Sequence, residues 1–535
     1  MAIGATAQSV VPSVGGGRIL LVLPFDNRTG QPSLEWIREA SAEILSSRLG
    51  AAGFASMSRA DRIYALDHLG LPRGLHPSRA TALKLAETLD ADAIIVGSYV
   101  TDGSGIVAEA RLVDVARLRM SEPVTARGEM RELASVFGSL AWKLTRQLDP
   151  GFKLSEESFV AAGSGLRLDA YEQYIRGITE PDKQERLRHL NQSILLSPEF
   201  SPAWMALGRE EYADQQYEQA AKAFARVGGG EQDALEAGFY RGLSLLISGD
   251  YAHAEEAFAD VARVLPLAEV LNNQGVALAR AGNDGAPLFR QAVAADPNGA
   301  DYHFSLAVSL KRLGGYDAEA MTELAQSLRL HPNDSEALLL QKAWSTDAKP
   351  MPARSAIART APDEAGVKAD PLERIARSFD AVAFRQAALM LDQVDAQRLA
   401  QLGPRARAEK LVTQAHEYLE RGLLLEAERL YQAAVVADHK LAAAHAGLAE
   451  IRERTGDAKA ARKEAVTSLE EMPSVDAYLV LIRLDIAANH LYEAQQNLAA
   501  ALKIDPHNKA ALELRKQIEA KDGMKKQQPQ LQPAN

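Results

Sequence analysis

The sequence predicts an α/β sandwich domain followed by an all-α superhelical solenoid of helix pairs in two segments. Short apolar runs alternate with amphipathic helical patterns over residues 18–150, as expected for a sheet covered by helices. A pattern with a period of about 34 residues then fills residues 167–343 and returns within 371–521. Residues 344–370 lose this period and contain Lys349-Pro350-Met351-Pro352, which divides the solenoid into two segments.

The composition narrows the classes of function. With 71 acidic and 60 basic residues, the net charge is −11, which disfavours non-specific binding to nucleic acid. The chain of 535 residues contains no cysteine, so disulfides, thiolate metal sites and a cysteine nucleophile are excluded. No apolar run reaches the roughly 18 residues of a spanning helix, and we expect no transmembrane segment.

Residues 1–17 are predicted to form a flexible N-terminal tail that ends at Gly15-Gly16-Gly17. Ala5-Thr6-Ala7 resembles the small-residue end of a secretory signal peptide. The basic start and the full apolar stretch of such a signal are missing from the sequence. Two interpretations therefore stay open, a remnant of a trimmed signal peptide and a plain tail.

Apolar runs define the elements of the α/β domain. Arg18–Phe25 predicts one buried strand and Asp92–Val100 predicts another. Residues 105–115 and 118–128 alternate between apolar and polar side chains, which indicates a hairpin with an exposed face. The remaining predicted elements are a short strand near Phe54–Met57 and helices over 33–50, 59–69, 77–89 and 130–148.

Three segments of this domain carry a family resemblance, namely Val22–Asn27, Ala91–Ser98 and Val107–Asp114. In this order they are similar to the TolB amino-terminal-like domains of bacterial envelope and regulatory proteins. The resemblance implies a place in the cell envelope, and such domains often precede arrays of helical repeats. Some members also carry a winged-helix DNA-binding domain or a cyclase domain, and this sequence shows no sign of either.

Small and aromatic residues at fixed spacing define the helical repeat. Three of its units contain Trp204, Leu207, Gly208, Ala220 and Phe224, then Gly242, Ala254, Phe258 and Pro266, and last Tyr478, Ala494, Leu498 and Pro506. The spacing indicates two helices that touch at a small residue of the second helix. The pattern resembles the tetratricopeptide repeat (TPR) family, which implies that the protein binds partners and does not carry out chemistry.

These patterns predict a division of the chain into seven segments. The predicted segments are a tail over 1–17, the α/β domain over 18–150, a linker over 151–166, a first TPR array over 167–343, a Pro-containing linker or excursion over 344–370, a helical segment with a second TPR array and a capping helix over 371–521, and a disordered tail over 522–535.

Motifs for catalysis, cofactors and metals are missing from the sequence. It contains neither G-x-x-x-x-G-K-[ST] nor H-E-x-x-H, so a phosphate-binding loop and a common zinc site are not expected. His303, His416 and His445 fall on repeat helices without partners at ligand spacing, which favours packing or solvent-facing roles. We therefore predict no catalytic residue, no cofactor and no bound metal.

Polar residues that follow or lie on the predicted strands are the weak candidates for a small-ligand site. Asp26 and Asn27 follow the first strand, and Ser98 lies on the second. Ligands of open α/β sheets favour the carboxyl ends of strands. Asp and Asn also stabilise turns without any ligand, and this structural explanation is the preferred one.

The TPR resemblance places a partner-binding groove on positions 2, 5, 9, 12 and 13 of each first helix. Carried onto this sequence, those positions give Met205, Arg209, Tyr212, Phe239, Leu243, Leu246, Tyr302, Arg312 and His416. We expect an apolar and aromatic groove with isolated arginines, without the Lys/Asn/Arg cluster that grips a terminal carboxylate. Such a groove suits an extended or helical peptide, although some of these side chains could instead pack against neighbouring repeats.

Together the two resemblances predict a non-enzymatic adaptor or scaffold of the bacterial cell envelope, periplasmic, that binds partner peptides in its TPR groove. A competing hypothesis is a small-ligand-sensing or regulatory protein whose α/β domain binds a nucleotide or another small molecule. A cytoplasmic location also stays open. The sequence does not identify the partner.

Overall fold

The computed structural model describes residues 18–162, 167–228, 233–346, 371–377, 398–399, 401–420 and 422–527. The chain divides into two compact units. The first unit combines residues 1–175 with 394–535, so the N-terminal domain and the C-terminal helices belong together. The second unit spans residues 176–393. The predicted linear order of domains does not foresee this pairing of the two ends of the chain.

A single mixed sheet forms the centre of the α/β domain. Its strands are β1 (Ile19–Val22), β2 (Asp26–Asn27), β3 (Ala55–Ser56), β4 (Ala93–Asp102), β5 (Gly105–Asp114), β6 (Arg119–Met120) and β7 (Val124–Glu129). The strands β3, β1 and β4 run parallel, with Leu20 opposite Ala93. The strands β4, β5 and β7 are antiparallel, with Ile94 opposite Val113. The long hairpin of β4 and β5 therefore joins a parallel half to an antiparallel half.

Helices cover both faces of this sheet. They are α1 (Ile37–Ala51), α2 (Arg59–His68), α3 (Arg79–Thr88), α4 (Leu133–Leu148) and, just beyond the sheet domain, α5 (Glu156–Ala161). On one face, Ile94 of β4 packs with side chains of α2 and α3. On the other, Phe25 lies edge-on to Phe137 of α4 at 5.7 Å and covers Gly97 of β4. The predicted α/β sandwich is confirmed.

Helix pairs form the second unit. The helices are α6 (Leu168–Thr179), which contains the boundary between the units, α7 (Lys183–Leu196), α8 (Ser201–Ala213), α9 (Tyr217–Phe224), α10 (Ala234–Ser248), α11 (Tyr251–Val264), α12 (Ala268–Arg280), α13 (Ala286–Ala295), α14 (Ala300–Leu313), α15 (Asp317–Leu330) and α16 (Ser335–Thr346). A Cβ atom on Gly208 would lie 2.8 Å from the Phe224 ring, and Gly242 faces Phe258 in the same way. Small residues therefore let each aromatic ring of a second helix lie against its first helix, as the repeat pattern predicts.

The C-terminal helices form a second array of the same kind. They are α17 (Pro404–Glu420), α18 (Leu424–Ala437), α19 (Ala442–Arg454), α20 (Ala458–Glu471), α21 (Val475–Ala487), α22 (Leu491–Ile504) and α23 (Lys509–Gln527). Ala494 is fully buried against its partner helix, at the small-residue position of its unit. The all-α solenoid in two segments is confirmed. Among the described helices, none is both long enough and apolar enough to cross a lipid bilayer.

Three predicted boundaries need correction. The helix α16 ends at Thr346, inside the predicted linker or excursion over 344–370. Residues 371–377 contain no helix, although the pattern predicts helix from Pro371 onward. At the C-terminus, α23 continues to Gln527 and so enters the predicted disordered tail. The predicted segments or parts of segments over 1–17, 163–166, 347–370, 378–397 and 528–535 lie outside the described residues.

Within the first unit, the α/β domain contacts the C-terminal array through arginines. Arg429 of α18 donates to the Ala51 carbonyl oxygen at 3.4 Å, and its guanidinium lies over Gly53. A side chain at position 53 would meet that guanidinium, and the backbone there has φ +97°. Arg452 of α19 donates to Ser158 Oγ of α5 at 3.2 Å. One edge of the α/β domain is therefore covered by the protein's own repeats.

Candidate functional site

The second unit holds a short segment of its own chain against its first helices. Residues 371–377, which we call the strap, lie outside any helix or strand. They contact α12, α14 and the start of α16, and we call this surface the groove. Arg374 and Ala376 are the residues whose main chains bond to the amide side chains of α12, and their spacing of two is the period of an extended chain. The groove therefore accommodates an extended polypeptide.

Side-chain amides of α12 bind the strap through its main chain. Asn272 Nδ2 donates to the Arg374 carbonyl oxygen at 2.8 Å. Asn273 makes two bonds to Ala376, because its Nδ2 donates to the carbonyl oxygen and its Oδ1 accepts from the amide, each at 2.8 Å. From α14, Ser305 Oγ accepts from the Arg374 amide at 3.0 Å. These bonds do not depend on the strap's side chains, so they recognise any extended chain with free amides at these positions.

An ion pair fixes the first charged residue of the strap. The Glu373 side chain is fully buried, and its Oε1 accepts from Arg312 Nη1 at 2.6 Å. Arg312 also reaches Glu373 Oε2 at 3.3 Å and the Pro371 carbonyl oxygen at 3.2 Å. Arg280 donates to the Glu373 carbonyl oxygen at 3.4 Å. A buried carboxylate is tolerated when a guanidinium pairs with it in this way, and it becomes costly when the partner is removed.

The second charged residue of the strap enters an acidic pocket. Arg374 donates to both carboxylate oxygens of Asp334, at 2.5 and 2.9 Å. It also donates to Asp301 at 2.9 Å and to Glu336 at 3.0 Å, and its guanidinium carbon lies 3.7 Å from the centre of the Phe304 ring. A planar guanidinium can form two parallel hydrogen bonds with a carboxylate and stack on an aromatic ring at the same time.

The protonation states of this pocket follow from the same contacts. Burial pulls the pKa of Arg374 down, but hydrogen bonds to Asp334, Asp301 and Glu336 outweigh it and leave the pKa above its usual value. The hydrogen bonds from Arg374 lower the pKa of the Asp334 carboxyl, against the opposing effect of burial. Both partners therefore stay charged across the physiological range of pH.

An apolar contact completes the strap. Ile375 lies between the two bound residues and packs against a buried cluster that includes Val276 and Leu310. Leu372 is 52% exposed and makes no comparable contact with that cluster. The groove thus receives an acidic, a basic and an aliphatic side chain in direct succession, Glu373, Arg374 and Ile375.

The predicted groove residues lie in several different environments in the structure. Arg312 binds the strap. Arg209 pairs with Glu236 at 2.7 Å, and Tyr212 lies edge-on to Tyr240 at 5.1 Å, so both contact neighbouring helices of the second unit. Tyr302 is largely buried, and burial raises the pKa of its hydroxyl well above the usual range.

His416 is the predicted groove residue of the C-terminal array. Its side chain is exposed and lies 3.4 Å from Glu420, one helical turn further along α17. It belongs to the first unit, so it is not part of the groove that holds the strap.

Four predicted groove residues are core residues. Met205, Phe239, Leu243 and Leu246 are at most 1% exposed and pack inside the hydrophobic clusters of the second unit. Their side chains are apolar, and the neighbouring helix pair covers them because that contact removes them from water. They are therefore unavailable to a partner in this structure, and the expected apolar groove is corrected to a polar and charged one.

Sequence reasoning missed the residues that hold the strap. Asn272 and Arg280 occupy groove positions 5 and 13 of the Ala268 unit, but the positional rule was carried only onto other units. Ser305 occupies position 5 of the Asp301 unit, in which only Tyr302 and Arg312 were named, and Asn273 lies one residue beyond position 5 of the Ala268 unit. The consecutive asparagines are the available signal, because amide side chains inside a helix array need hydrogen-bond partners.

The weak small-ligand candidates have structural partners. Asn27 Nδ2 donates to the Gln31 carbonyl oxygen at 3.1 Å and to Glu35 Oε2 at 2.9 Å. Asn27 Oδ1 accepts from the Thr29 amide at 3.0 Å and from its hydroxyl at 2.6 Å. The side chain therefore uses its full hydrogen-bonding capacity to shape its own turn.

Asp26 and Ser98 also take part in local structure. Asp26 Oδ1 lies 3.2 Å from His76 Nδ1, and both side chains are more than half exposed. Ser98 lies in β4, in register with Asp26 of β2. A cavity of about 50 Å³ on the α2 and α3 face is lined by Leu23, Arg62 and other residues. It has room for a few water molecules and not for a nucleotide.

Two of the histidines serve as structural tethers. His303 Nε2 and His445 Nε2 each lie 3.0 Å from the carbonyl oxygen six residues earlier, and Trp204 Nε1 donates at 2.7 Å in the same relation. The other ring nitrogens of the histidines face Glu323 and Glu464. These contacts agree with the packing role expected for His303 and His445. Among the described residues, no group of three or more His, Asp or Glu side chains could hold a metal ion.

No family model matches the chain, and no curated protein matches it. Among solved structures, YrrB, described as a TPR protein with an unusual peptide-binding site, is 14% identical, with 38% of this chain and 99% of YrrB covered and a TM-score of 0.29. The C-terminal domain of LpoB from Salmonella enterica is 20% identical, with coverages of 22% and 87% and a TM-score of 0.18. The TPR2AB domain of yeast Sti1 in complex with pHSP90 is 14% identical, with coverages of 60% and 97% and a TM-score of 0.19.

Proposed function

We propose that this protein is a non-enzymatic scaffold that binds an extended segment of another protein in the groove of its second unit. The observation that carries the proposal is the strap, which the groove already binds through the side chains of Asn272, Asn273, Ser305 and Arg312. A surface that pairs main-chain amides and carbonyls of one extended segment suits another segment of the same chemistry.

The polar groups of the groove support binding as its role. The amides of α12 bond to strap main chain, Arg312 pairs with Glu373, and Asp334 pairs with Arg374. Such groups recognise and orient a polypeptide, and each is already engaged in doing so. The α/β domain and the C-terminal array contact each other within the first unit. They would then form the structural part of the scaffold.

Site-specific cross-linking tests the location of the site. Because the chain has no cysteine, one introduced cysteine reacts alone with a photoreactive thiol reagent. Glu336→Cys places the reagent at a half-exposed position beside Arg374, and His416→Cys places it at an exposed position of the C-terminal array. In extract from the native cells, we expect Glu336→Cys to capture specific proteins, identified by mass spectrometry.

The matched control adds Asn273→Ala to the Glu336→Cys variant, which removes two main-chain bonds but leaves the reagent in place. We expect the captured proteins to be lost. If His416→Cys captured the same proteins in equal yield and Asn273→Ala changed nothing, the binding site would lie elsewhere in the chain.

We also propose that this binding takes place in a bacterial cell envelope, in the periplasm. The support is the resemblance of residues 18–150 to TolB amino-terminal-like domains and the pattern Ala5-Thr6-Ala7. Fractionation of the native cells, with an antibody against the purified protein, tests it. Recovery with cytoplasmic marker enzymes would contradict the envelope assignment and leave the groove assignment untouched.

A further inference from the structure

We propose that the strap is a competitor built into the chain, and that partners enter the groove by replacing it with their own acidic–basic–aliphatic triplet. The inference rests on the proposed function and adds two elements to it, a ligand motif and a means of regulation. The strap supplies the template for the motif, with Glu373 at Arg312, Arg374 in the acidic pocket and Ile375 on the apolar cluster.

Charge decides which partner segments can take the place of the strap. When the strap leaves, Arg312 loses its carboxylate and the carboxylates of Asp334 and Asp301 lose their guanidinium. A partner that enters must supply charges of the same sign at the same two positions, because groups as enclosed as Asp334 are penalised when they stay unpaired. The Phe304 ring beneath the guanidinium favours arginine over lysine at the basic position.

The main-chain bonds set the remaining requirements. Asn273 needs a free amide and a carbonyl on the same residue, and Ser305 needs a free amide two residues earlier. Proline lacks the amide hydrogen, so it is excluded at the partner positions that correspond to Arg374 and Ala376. Because a helix would use these amides internally, the partner segment must bind in an extended form.

The strap competes better than a free peptide of the same sequence because it belongs to the same chain as the groove. A segment of the same chain competes intramolecularly, at an effective concentration that a free peptide must match. A free peptide of the same sequence therefore binds the intact protein more weakly than it binds a groove from which the strap has been displaced. Weakening the strap alone should tighten binding of the peptide by about tenfold or more.

The test uses a fluorescein-labelled peptide with the sequence of residues 371–377, Pro-Leu-Glu-Arg-Ile-Ala-Arg, and fluorescence anisotropy with the full chain. Ala376→Pro in the protein removes the strap's amide donor to Asn273 and leaves every groove residue in place. We expect the peptide to bind this variant about tenfold or more tightly than the wild-type chain. The control peptide exchanges Glu and Arg, which keeps composition and net charge, and it should bind neither protein.

A second strap variant guards against an effect of proline on folding. Glu373→Gln with Arg374→Gln removes both charges and leaves a polar side chain at each position, so it should tighten peptide binding in the same way. Circular dichroism and the melting temperature show whether each variant is folded. Addition of Asn273→Ala to either variant should abolish binding of the peptide.

The outcomes separate this inference from the proposed function. If the wild-type chain binds the peptide as tightly as both strap variants do, the strap does not compete, and the groove remains a peptide site. If the exchanged peptide binds as well as the native one, the motif is wrong. If neither folded strap variant binds the peptide, the inference is overturned, while the cross-linking at Glu336 still decides whether the groove binds partners.

Discussion

The two helical arrays arrange their charges differently. In the C-terminal array, the arginines find carboxylates on neighbouring helices, as Arg483 does with Glu453 at 2.6 Å and Arg462 does with Asp485 at 2.5 Å. In the array of the second unit, Arg209 pairs with Glu236 in the same way, but Arg312 of α14 pairs with Glu373, which belongs to the strap. The array of the second unit therefore adds to its pairs between helices an arginine whose carboxylate comes from the strap.

The same contrast extends to what each array covers. Arg429 and Arg452 of the C-terminal array contact the α/β domain within the first unit. These contacts give that array a structural partner inside its own unit. In the other array, the side-chain amides of Asn272 and Asn273 donate hydrogen bonds to the strap, which lies outside any helix. We therefore propose that the C-terminal array has a structural role and that the other array binds polypeptides, and the predictions below test this division.

The largest expected effect concerns Glu428 of the C-terminal array. Burial raises the pKa of its carboxyl from 4.5 to about 7, although Arg452 lies 2.5 Å away and acts in the opposite direction. The folded chain therefore holds this proton more tightly than the unfolded chain does. This contribution to stability is complete below pH 4.5 and is lost as the pH rises to about 7, which lowers the free energy of unfolding by about 3 kcal/mol.

Urea titrations between pH 5 and 8 measure this effect through the fluorescence of Trp36 and Trp142, in a Trp204→Phe, Trp344→Phe background. Glu428→Gln should flatten the dependence on pH over that window. Some dependence of the same sign should remain, because the hydrogen bond with Glu464 raises the pKa of His445 above 6.5. An unchanged slope in the Glu428→Gln variant would show that this carboxyl is ionised throughout.

The next effect comes from the contacts between paired helices. Ala254 in the second unit and Ala494 in the first are both fully buried at the small-residue position of a second helix. Leucine at either position forces the helices apart, and we expect each variant to be less stable by about 1–3 kcal/mol. Midpoints of urea unfolding measure the loss. Unchanged midpoints would mean that helices in the two arrays do not touch where the repeat pattern places them.

A smaller effect is expected when one arginine of an ion pair is removed, and it should differ between the two arrays. Arg312→Ala leaves the buried Glu373 carboxylate without its guanidinium, and the strap should detach at a cost of about 1–2 kcal/mol. Arg483→Ala removes a partly exposed pair from the C-terminal array and should cost under about 1 kcal/mol. Hydrogen exchange at Arg374 and Ala376 should accelerate only in the Arg312 variant. If hydrogen exchange at these amides accelerated equally in the Arg312 and Arg483 variants, the proposed division of roles between the two arrays would be wrong.

The sequence predicts the fold well because local patterns determine it. Apolar runs mark the strands of the α/β domain, and the spacing of Gly208, Phe224 and Ala254 marks the helix pairs. The site is harder to predict, since the positional rule places apolar residues such as Phe239 in an open groove, whereas neighbouring repeats bury them. Hydrophobicity cannot distinguish an anchor for a partner from a contact between repeats.

The strap was beyond local sequence reasoning for a different reason. Ile375 fits a helical spacing, and that pattern predicted a helix from Pro371. The groove overrides this preference, because Asn273 and Ser305 take main-chain groups that a helix would otherwise pair internally. The contacts of Arg429 and Arg452 with the α/β domain are likewise tertiary, and neither arginine is marked by any motif.

The smallest expected effect concerns the α/β domain. It tests whether this domain, as well as the groove, binds a ligand. Asn27→Ala removes four hydrogen bonds that shape a partly exposed turn, and we expect a loss of stability of about 1 kcal/mol. A thermal-shift screen with nucleotides and other small molecules supplies the measurement. Because Asn27 is fully used inside its own turn, no compound should raise the melting temperature in a way that this substitution abolishes. A compound that stabilised the wild-type chain but neither Asn27→Ala nor an Asp26→Ala, Asn27→Ala double variant would place a ligand site at this loop. Recognition would then be shared between the α/β domain and the groove, and the division between the arrays would describe only the binding of polypeptides.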